Sequence, residues 1–357
     1  MSYFDKYVSN TLAPTGNQTF FISDGTAQKS RAFYKILKGG YYEYSFLFSN
    51  IIDSTFADGS ISKANDLCDP YTIHSAKILV VGKYETFLEC PRIIKEIPLK
   101  FDGNTTKEVI SGEIFYSDPV KIMCNDGDYF ALEMEFSGTK LPYFEEATIP
   151  TFRFIDGRWV SDKRAINTAM VGVQRQVEKR IGFLGDSITQ GIGTENNSYD
   201  QWNAKIANLT RNNYSYWNLG IGFARGADAA TDGVWLNKAK NLDVCTVCFG
   251  VNDTGAGYTA EEIKANIAKI ISILQENKVR TILFTVPPFD LEGERCIKWY
   301  EVNRFIREEM SKTTEIFDVV PILGKDKPNE HMAKYGGHPD EEGCLKLAIG
   351  FCLMIDL

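Results

Sequence analysis

The chain has 357 residues, of which 44% are hydrophobic and 24% charged, and a formal net charge of -8. It is long enough for two domains with separate cores, and its composition excludes a disordered or fibrous chain. The negative balance argues against nucleic acid or an anionic membrane as the main partner; a neutral or small-molecule substrate fits better.

Residues Met1 to Val8 have neither a basic stretch nor a continuous apolar stretch, so no signal peptide is expected. The expected location is therefore cytoplasmic, or secreted if a leader has been removed. From about residue 18 to residue 160 the pattern is that of β-structure. Short alternating runs recur between turn signals: Ala32 to Leu37 before Gly39 and Gly40, Tyr42 to Phe48, Ala76 to Val81 before Gly82, and Tyr129 to Phe136 before Gly138. In the last run Tyr129, Ala131, Glu133 and Glu135 alternate with Phe130, Leu132, Met134 and Phe136, which predicts a half-buried strand. Many short strands with Gly, Asp and Pro turns predict a sandwich of jelly-roll type. The aromatics Tyr41, Tyr42, Tyr143 and Phe144 offer either a sugar-binding platform or ordinary packing, and packing is the better expectation.

The segment Ser161 to Lys179 is mixed and polar, and the domain boundary is expected there, between a β-domain of residues 1–170 and a second domain of residues 171–357. Beyond it, strands alternate with helices. The apolar run Ile181 to Leu184 reads as a buried strand that breaks at Gly185-Asp186-Ser187, placing a serine at the C-terminal end of a strand, where α/β sheets put their ligands. A helix with a stripe of Trp202, Ile206 and Leu209 follows, then a strand Tyr214 to Asn218 and a helix near Asp228 to Ala239. The strand Val244 to Phe249 leads to a helix opening with the capping-box pattern Thr259 to Glu262 and carrying Ile263, Ile267, Ile270 and Leu274 on one side. A strand Thr281 to Val286 ends at Pro287 and Pro288; a helix Glu294 to Met310, a strand Ile316 to Val320 and a buried C-terminal helix complete the set. Strands separated by helices of this length predict a five-stranded parallel sheet with helices on both faces, a flavodoxin-like domain.

Eight cysteines stand singly, at 68, 90, 124, 245, 248, 296, 344 and 352, which predicts reduced core thiols rather than a disulfide scaffold. Cys245 and Cys248 have the spacing of a metal or redox pair, but on a strand residues i and i+3 point to opposite faces, so they read as small buried hydrophobes. The stretch Leu345 to Leu357 carries Lys346 and Asp356 and is too short to span a bilayer.

Four blocks carry chemistry: Gly185-Asp186-Ser187, the turn from Asn218 to Gly222, Gly250-Val251-Asn252-Asp253, and His338-Pro339. In this order and spacing the sequence resembles the SGNH hydrolases, also called GDSL esterases and lipases. The resemblance implies that Ser187 is a nucleophile, His338 its general base, and Asn252 a side-chain oxyanion donor. The backbone N–H of Ser187 and one from the glycine turn, at Gly222 or with less support at Gly220, would complete the oxyanion hole. Spacing aligns the family's usual glycine with Phe223, one residue after Gly222. Of the three histidines, His74 lies in the β-half and His331 in a polar loop, whereas His338 stands just before the last helix, where the family places its base. Gly39-Gly40, Phe48 to Asn50 and Ser117 to Val120 are also similar to a bacterial subgroup in which a β-domain precedes the hydrolase domain.

One position departs from the pattern. The family usually has Asp three residues before the histidine, and here that residue is Tyr335, which is not an anion at neutral pH. The alternatives are a Ser-His dyad, which is preferred, a substitute acid among Asp326, Glu330 and Asp340, or a weakened enzyme. Asp340 and Asp253 read as helix caps, and Asp186 as a neighbour of the serine. The resemblance implies no metal and no organic cofactor; Gly191 to Gly193 lacks the rest of a dinucleotide fingerprint. The expected activity is hydrolysis of a short acyl ester, most plausibly an acetyl group on a carbohydrate. A lipase, thioesterase or arylesterase is the nearest alternative, and a glycan-binding protein on a decayed hydrolase scaffold is the alternative from another class.

Overall fold

In the computed structural model the chain divides into two compact units, Met1–Ile61 with Asn65–Val177, and Ser62–Ala64 with Glu178–Leu357. The structure describes residues 2–12, 18–22, 24–55, 63–84, 93–143, 148–210, 213–325, 327–331 and 337–357. Among these no helix is long and apolar enough to cross a membrane.

The first unit is a sandwich of antiparallel sheets. One sheet runs in the order Val8–Ser9, Met170–Gln174, Gly40–Ser49, with Ile114–Tyr116 and Val120–Cys124 both paired to the last. The other runs Arg158–Ser161, Thr151–Ile155, Gln28–Lys35, Tyr129–Gly138, Tyr71–Gly82, Lys95–Pro98. Period-2 alternation puts Ala32 and Tyr34, Tyr44, Phe46 and Phe48, Ile78 and Val80, and Phe130 to Phe136 by twos into one shared core. The polar texture of Ser161 to Lys179 hides the apolar strand Met170–Gln174, which pairs between Val8 and Gly40–Ser49. This unit runs on to Val177, within the segment Ser161 to Lys179 where the boundary is expected.

The strand Tyr129–Gly138 is not half-buried as its alternation predicts. Tyr129, Ala131 and Glu133 are buried too, and only Glu135 of that face is exposed. The second face is covered by an aromatic cluster in which Tyr84 packs against Phe33 and Tyr129, and Phe33 against Phe152. Glu133 tolerates burial because Arg31 lies 2.6 Å, Lys29 3.0 Å and Lys77 3.3 Å from its carboxylate. Alternation reports which residues share a face; it does not report what else packs on it. Tyr143 belongs to the core and Tyr41 is exposed, so these two do not share a platform, and Phe144 lies outside the described residues.

The second unit holds an all-parallel sheet in the order Tyr214–Gly220, Lys179–Gly185, Val244–Cys248, Arg280–Phe284, Glu315–Phe317. Counted along the chain this is 2-1-3-4-5, the flavodoxin-like order, whose switch point lies between the first and third strands. The longest helix, Ala260–Glu276, opens with the expected reciprocal cap: Glu262 N–H donates to Thr259 Oγ1 and Thr259 N–H to Glu262 Oε2. Its Ile263, Ile267, Ile270 and Leu274 are buried. Cys245 and Cys248 are buried free thiols, and burial pushes Cys245 up to about 12.

Four expectations change here. The helix Trp202–Thr210 is buried only in its first part, through Trp202, Asn203, Ala204 and Ile206; Leu209 shares the Trp202 face at 100° per residue but lies near the helix end, past the buried part, and is exposed. The single helix expected near Asp228 to Ala239 is two, Gly226–Ala229 and Val234–Ala239, separated by a turn with Asp232 in the left-handed region. The strand expected at Ile316 to Val320 is Glu315–Phe317, and Val320 begins the short helix Val320–Leu323. The last helix, Glu341–Met354, is buried on one side only, through Cys344, Leu347, Ala348 and Phe351, while Leu345, Ile349 and Leu353 are exposed.

Candidate active site

The first strand ends at Gly185 and a four-residue helix, Ser187–Gln190, begins at once. Such a helix cannot satisfy its own carbonyls, so each needs another donor. All four find one. Ser187 O accepts from the N–H groups of Gly191 and Ile192, both at 3.0 Å. Ile188 O accepts from Trp202 Nε1 at 3.1 Å, Thr189 O from Asn203 Nδ2 at 2.7 Å, and Gln190 O from Asn218 Nδ2 at 3.1 Å. At the other end Asp186 is the N-cap, its Oδ1 accepting from Ile188 N–H at 3.0 Å. Ser187 is thereby fixed at the first position of a helix whose backbone is held by side chains of two neighbouring elements.

His338 arrives from the other end of the chain. Its Nε2 lies 2.8 Å from Ser187 Oγ, and both side chains are largely buried. The approach depends on Gly193, where φ is +106° and a Cβ would lie 2.5 Å from Pro339 O and 3.0 Å from His338 Cβ. On its flank the His338 ring meets the Phe289 ring edge to face, with centroids 5.2 Å apart. Phe289 follows the fourth strand in a loop pinned at its base. Asn303 accepts from Val286 N–H and donates to Val286 O, and Trp299 Nε1 donates to the carbonyls of Val286 and Pro287.

The remaining residues singled out by sequence stand at the same edge of the sheet. Asn252 is on the helix Val251–Gly255 directly after the third strand, half-buried, its Nδ2 donating to Ala224 O at 2.9 Å. That leaves one amide N–H for another acceptor. Gly222 is buried in the turn after the second strand. Phe223, which spacing aligns with the family glycine, has φ +62°, the left-handed conformation a glycine would favour, although it is a phenylalanine. Gly220 stands apart from this group: its N–H donates to Asn218 Oδ1 at 2.9 Å, and a Cβ there would lie 2.2 Å from Gln190 N. Its glycine serves the close packing of the second strand on the serine's helix.

Three carboxyl groups lie in the neighbouring segments. Asp340 caps the last helix, Oδ1 accepting from Gly343 N–H at 2.9 Å. Asp186 is wholly buried; burial, helped by the charge of Asp253, pushes it up to about 7. Its Oδ2 has no hydrogen-bond partner among the described residues. Asp253 is equally buried, and burial pushes it up to about 6 against the pull of two backbone donors, Gly226 N–H and Ala227 N–H. Tyr335 and Asp326 lie outside the described residues, as do the side chains of Glu330 and His331.

Sequence reasoning names the serine, the histidine and the asparagine but misses what holds them. Trp202 reads as part of an apolar stripe, and Asn203 and Asn218 do not stand out as supports, because their bonds go to carbonyls 14 to 28 residues away. Phe289 gives no signal beyond the pair of prolines before it.

Comparison with known proteins adds the following. Residues 183–344 match the GDSL-like Lipase/Acylhydrolase family. An N-acylneuraminate cytidylyltransferase of Streptococcus agalactiae serotype III is 27% identical over 179 residues, covering 49% of this chain and 38% of that protein. The chain thus spans well under half the length of this curated relative. Among solved structures, a carbohydrate acetylesterase family member from Sinorhizobium meliloti is 14% identical, with TM-score 0.41, over 48% of this chain and 95% of that one. A member of the lipolytic protein G-D-S-L family from Veillonella parvula is 17% identical, with TM-score 0.40, over 49% and 97%.

Proposed function

We propose that this chain, whose residues 183–344 form a GDSL-like lipase/acylhydrolase domain, is a serine esterase in which Ser187 attacks a carboxylic ester and His338 is its base. The observation that carries the reading is the 2.8 Å contact between Ser187 Oγ and His338 Nε2, made across 151 residues of chain inside a buried site. A serine hydroxyl is a weak nucleophile at neutral pH and needs such a base within reach. In the first step Oγ bonds to the carbonyl carbon while Nε2 takes the hydroxyl proton. The resulting oxyanion is met by the N–H groups of Ser187 and Gly222 and by the Asn252 amide N–H not given to Ala224. Nε2 then returns the proton to the departing alcohol, leaving acyl-Ser187. A water, deprotonated by His338, attacks the acyl-enzyme, and the acid leaves as Ser187 recovers its proton.

The reading keeps the Ser-His dyad, because some carbohydrate esterases of the resembled superfamily manage without the acid; Asp340 caps the last helix, and Phe289 lies against the imidazole on one side. The acetyl group and the sugar are its finer part. They rest on the resemblance of a β-domain joined to such a hydrolase domain to carbohydrate deacetylases, and on the curated relative being named for N-acylneuraminate, an acylated sugar.

Release of p-nitrophenol from the acetate, butyrate and octanoate esters tests the proposal. Wild type is expected to turn over acetate best, and Ser187→Ala and His338→Ala to lose on the order of 10³-fold or more. Asn252→Ala is expected to lower kcat roughly 10²-fold to 10³-fold, the cost of one oxyanion donor. Preference for octanoate would move the specificity to a lipase. Wild type as inactive as its variants on all three would refute the esterase and favour a glycan-binding protein.

A further inference from the structure

Asn252 and Asp253 are neighbours on one short helix, yet the mechanism uses only Asn252. Asp253 is wholly buried, and a buried carboxylate needs a reason. Its oxygens reach across to the segment that follows the second strand, where Oδ2 accepts from Gly226 N–H at 3.1 Å and Oδ1 from Ala227 N–H at 3.4 Å, the first two residues of the helix Gly226–Ala229. Two residues upstream in that segment, the Ala224 carbonyl accepts from Asn252 Nδ2 at 2.9 Å. The two adjacent side chains therefore grip one segment, Asn252 at Ala224 and Asp253 at Gly226 and Ala227. The direction of the remaining Asn252 N–H depends on where the Ala224 carbonyl stands, because the two hydrogens of one amide are rigidly related.

We propose that Asp253 is a positioning residue for ester hydrolysis: its carboxylate holds the segment Ala224 to Ala227, and through the Ala224 carbonyl it aims the Asn252 amide at the oxyanion. The inference rests on the esterase reading above. Burial pushes the acid up to about 6 against the pull of these two donors, so near neutral pH it is the carboxylate, with both oxygens accepting, that holds the segment.

The test is a double-mutant cycle on p-nitrophenyl acetate with wild type, Asn252→Ala, Asp253→Asn and the double variant. Asparagine has the shape of the neutral acid, so Asp253→Asn keeps one acceptor and exchanges the other for an N–H group. Its kcat is expected to fall roughly tenfold to a hundredfold with KM within about twofold, as for a displaced catalytic group. In the Asn252→Ala background the same change is expected to cost under about threefold, because the donor it positions is already gone. Gly226→Pro, which deletes one donor to Asp253 at a helix start where proline is tolerated, is expected to lower kcat in the same direction. An active wild type with unchanged kcat in both Asp253→Asn and Gly226→Pro, or with losses that simply add in the double variant, overturns the positioning role and leaves the esterase intact. An inactive wild type removes both.

Discussion

Phe223 and Gly193 carry opposite kinds of conformational demand. Phe223 holds a φ of +62° with a side chain that is 49% exposed, so little burial offsets its strain. A non-glycine residue in the left-handed region costs roughly 1–2 kcal/mol, part of which a glycine returns through the greater entropy of its unfolded chain. Phe223→Gly is therefore expected to stabilise the protein by about 0.5–1 kcal/mol, read as a rise of the thermal midpoint; a fall would show that the ring contributes packing that outweighs the backbone strain. Gly193 is the reverse case. Its φ of +106° and the 2.5 Å gap between a notional Cβ and Pro339 O leave no room for alanine. Gly193→Ala is expected to push the His338 turn away from Ser187 and lower kcat roughly tenfold or more with a smaller change in KM. An unchanged kcat would mean that the histidine loop yields without moving the imidazole.

The helix Ser187–Gln190 shows how an element too short to be stable alone is made rigid. Its four carbonyls are taken by backbone N–H groups of Gly191 and Ile192 and by side chains of Trp202, Asn203 and Asn218. Asn203 is wholly buried, so Asn203→Ala leaves Thr189 O without its donor in a dry place and is expected to cost about 1–3 kcal/mol in urea unfolding. A loss below about 0.5 kcal/mol would mean that water or a backbone shift replaces the donor. Asn203 also marks the limit of what the sequence conveys. Period-3.6 and period-2 patterns locate the sheet strands, the Thr259 cap and the flavodoxin-like order, because burial is written locally in residue spacing. The four blocks single out Ser187 and His338, whose side chains lie 2.8 Å apart, and Asn252 as candidates, because the proposed chemistry calls for those residue types. Leu209 misleads because spacing tells which face of the helix it shares with Trp202 and Ile206, and not how far along the helix that face stays covered. The covered face of Tyr129–Gly138 escapes notice because Tyr84 and Phe152 reach it from distant segments. Phe289 against His338 and Asp253 against Gly226 are contacts through space, with nothing in their local sequence to announce them.

At the scale of the whole molecule, the buried acids Glu133 in one unit and Asp186 and Asp253 in the other are shifted in opposite senses. In the sandwich, burial pushes Glu133 upward, but Lys29 and Arg31 outweigh it and hold the carboxyl below the ordinary value of 4.5. Its stabilisation is present above the unfolded pKa and is lost as pH falls through the lower folded value. In the unit with the parallel sheet Asp186 is raised from 3.8 to about 7 and Asp253 from 3.8 to about 6, in both cases by burial first. Between those limits the folded state binds more protons than the unfolded one, so their contribution is intact below about pH 4 and is lost as pH rises through 6 and 7. A tenfold difference in proton affinity between the folded and unfolded states corresponds to about 1.4 kcal/mol, so Asp186 alone is expected to remove on the order of 2–4 kcal/mol by pH 8, part of it shared with Asp253 because the two charges repel. Asp186→Asn isolates this contribution. Asparagine is as good an N-cap and keeps the acceptor for Ile188 N–H, but it does not ionise. Wild type and variant are expected to unfold at similar temperatures below about pH 4, and the variant to be the more stable at pH 8 by several degrees. Parallel curves from about pH 4 to pH 8 would mean that Asp186 ionises in the folded state as it does in water. The same curves bear on catalysis, since Asp186 immediately precedes Ser187 and caps its helix: a buried charge forming there as pH rises through about 7 would loosen the element that holds the serine. An activity optimum nearer neutrality in wild type, displaced upward in Asp186→Asn, is the expected result, and an optimum shared by both would confine the effect to stability.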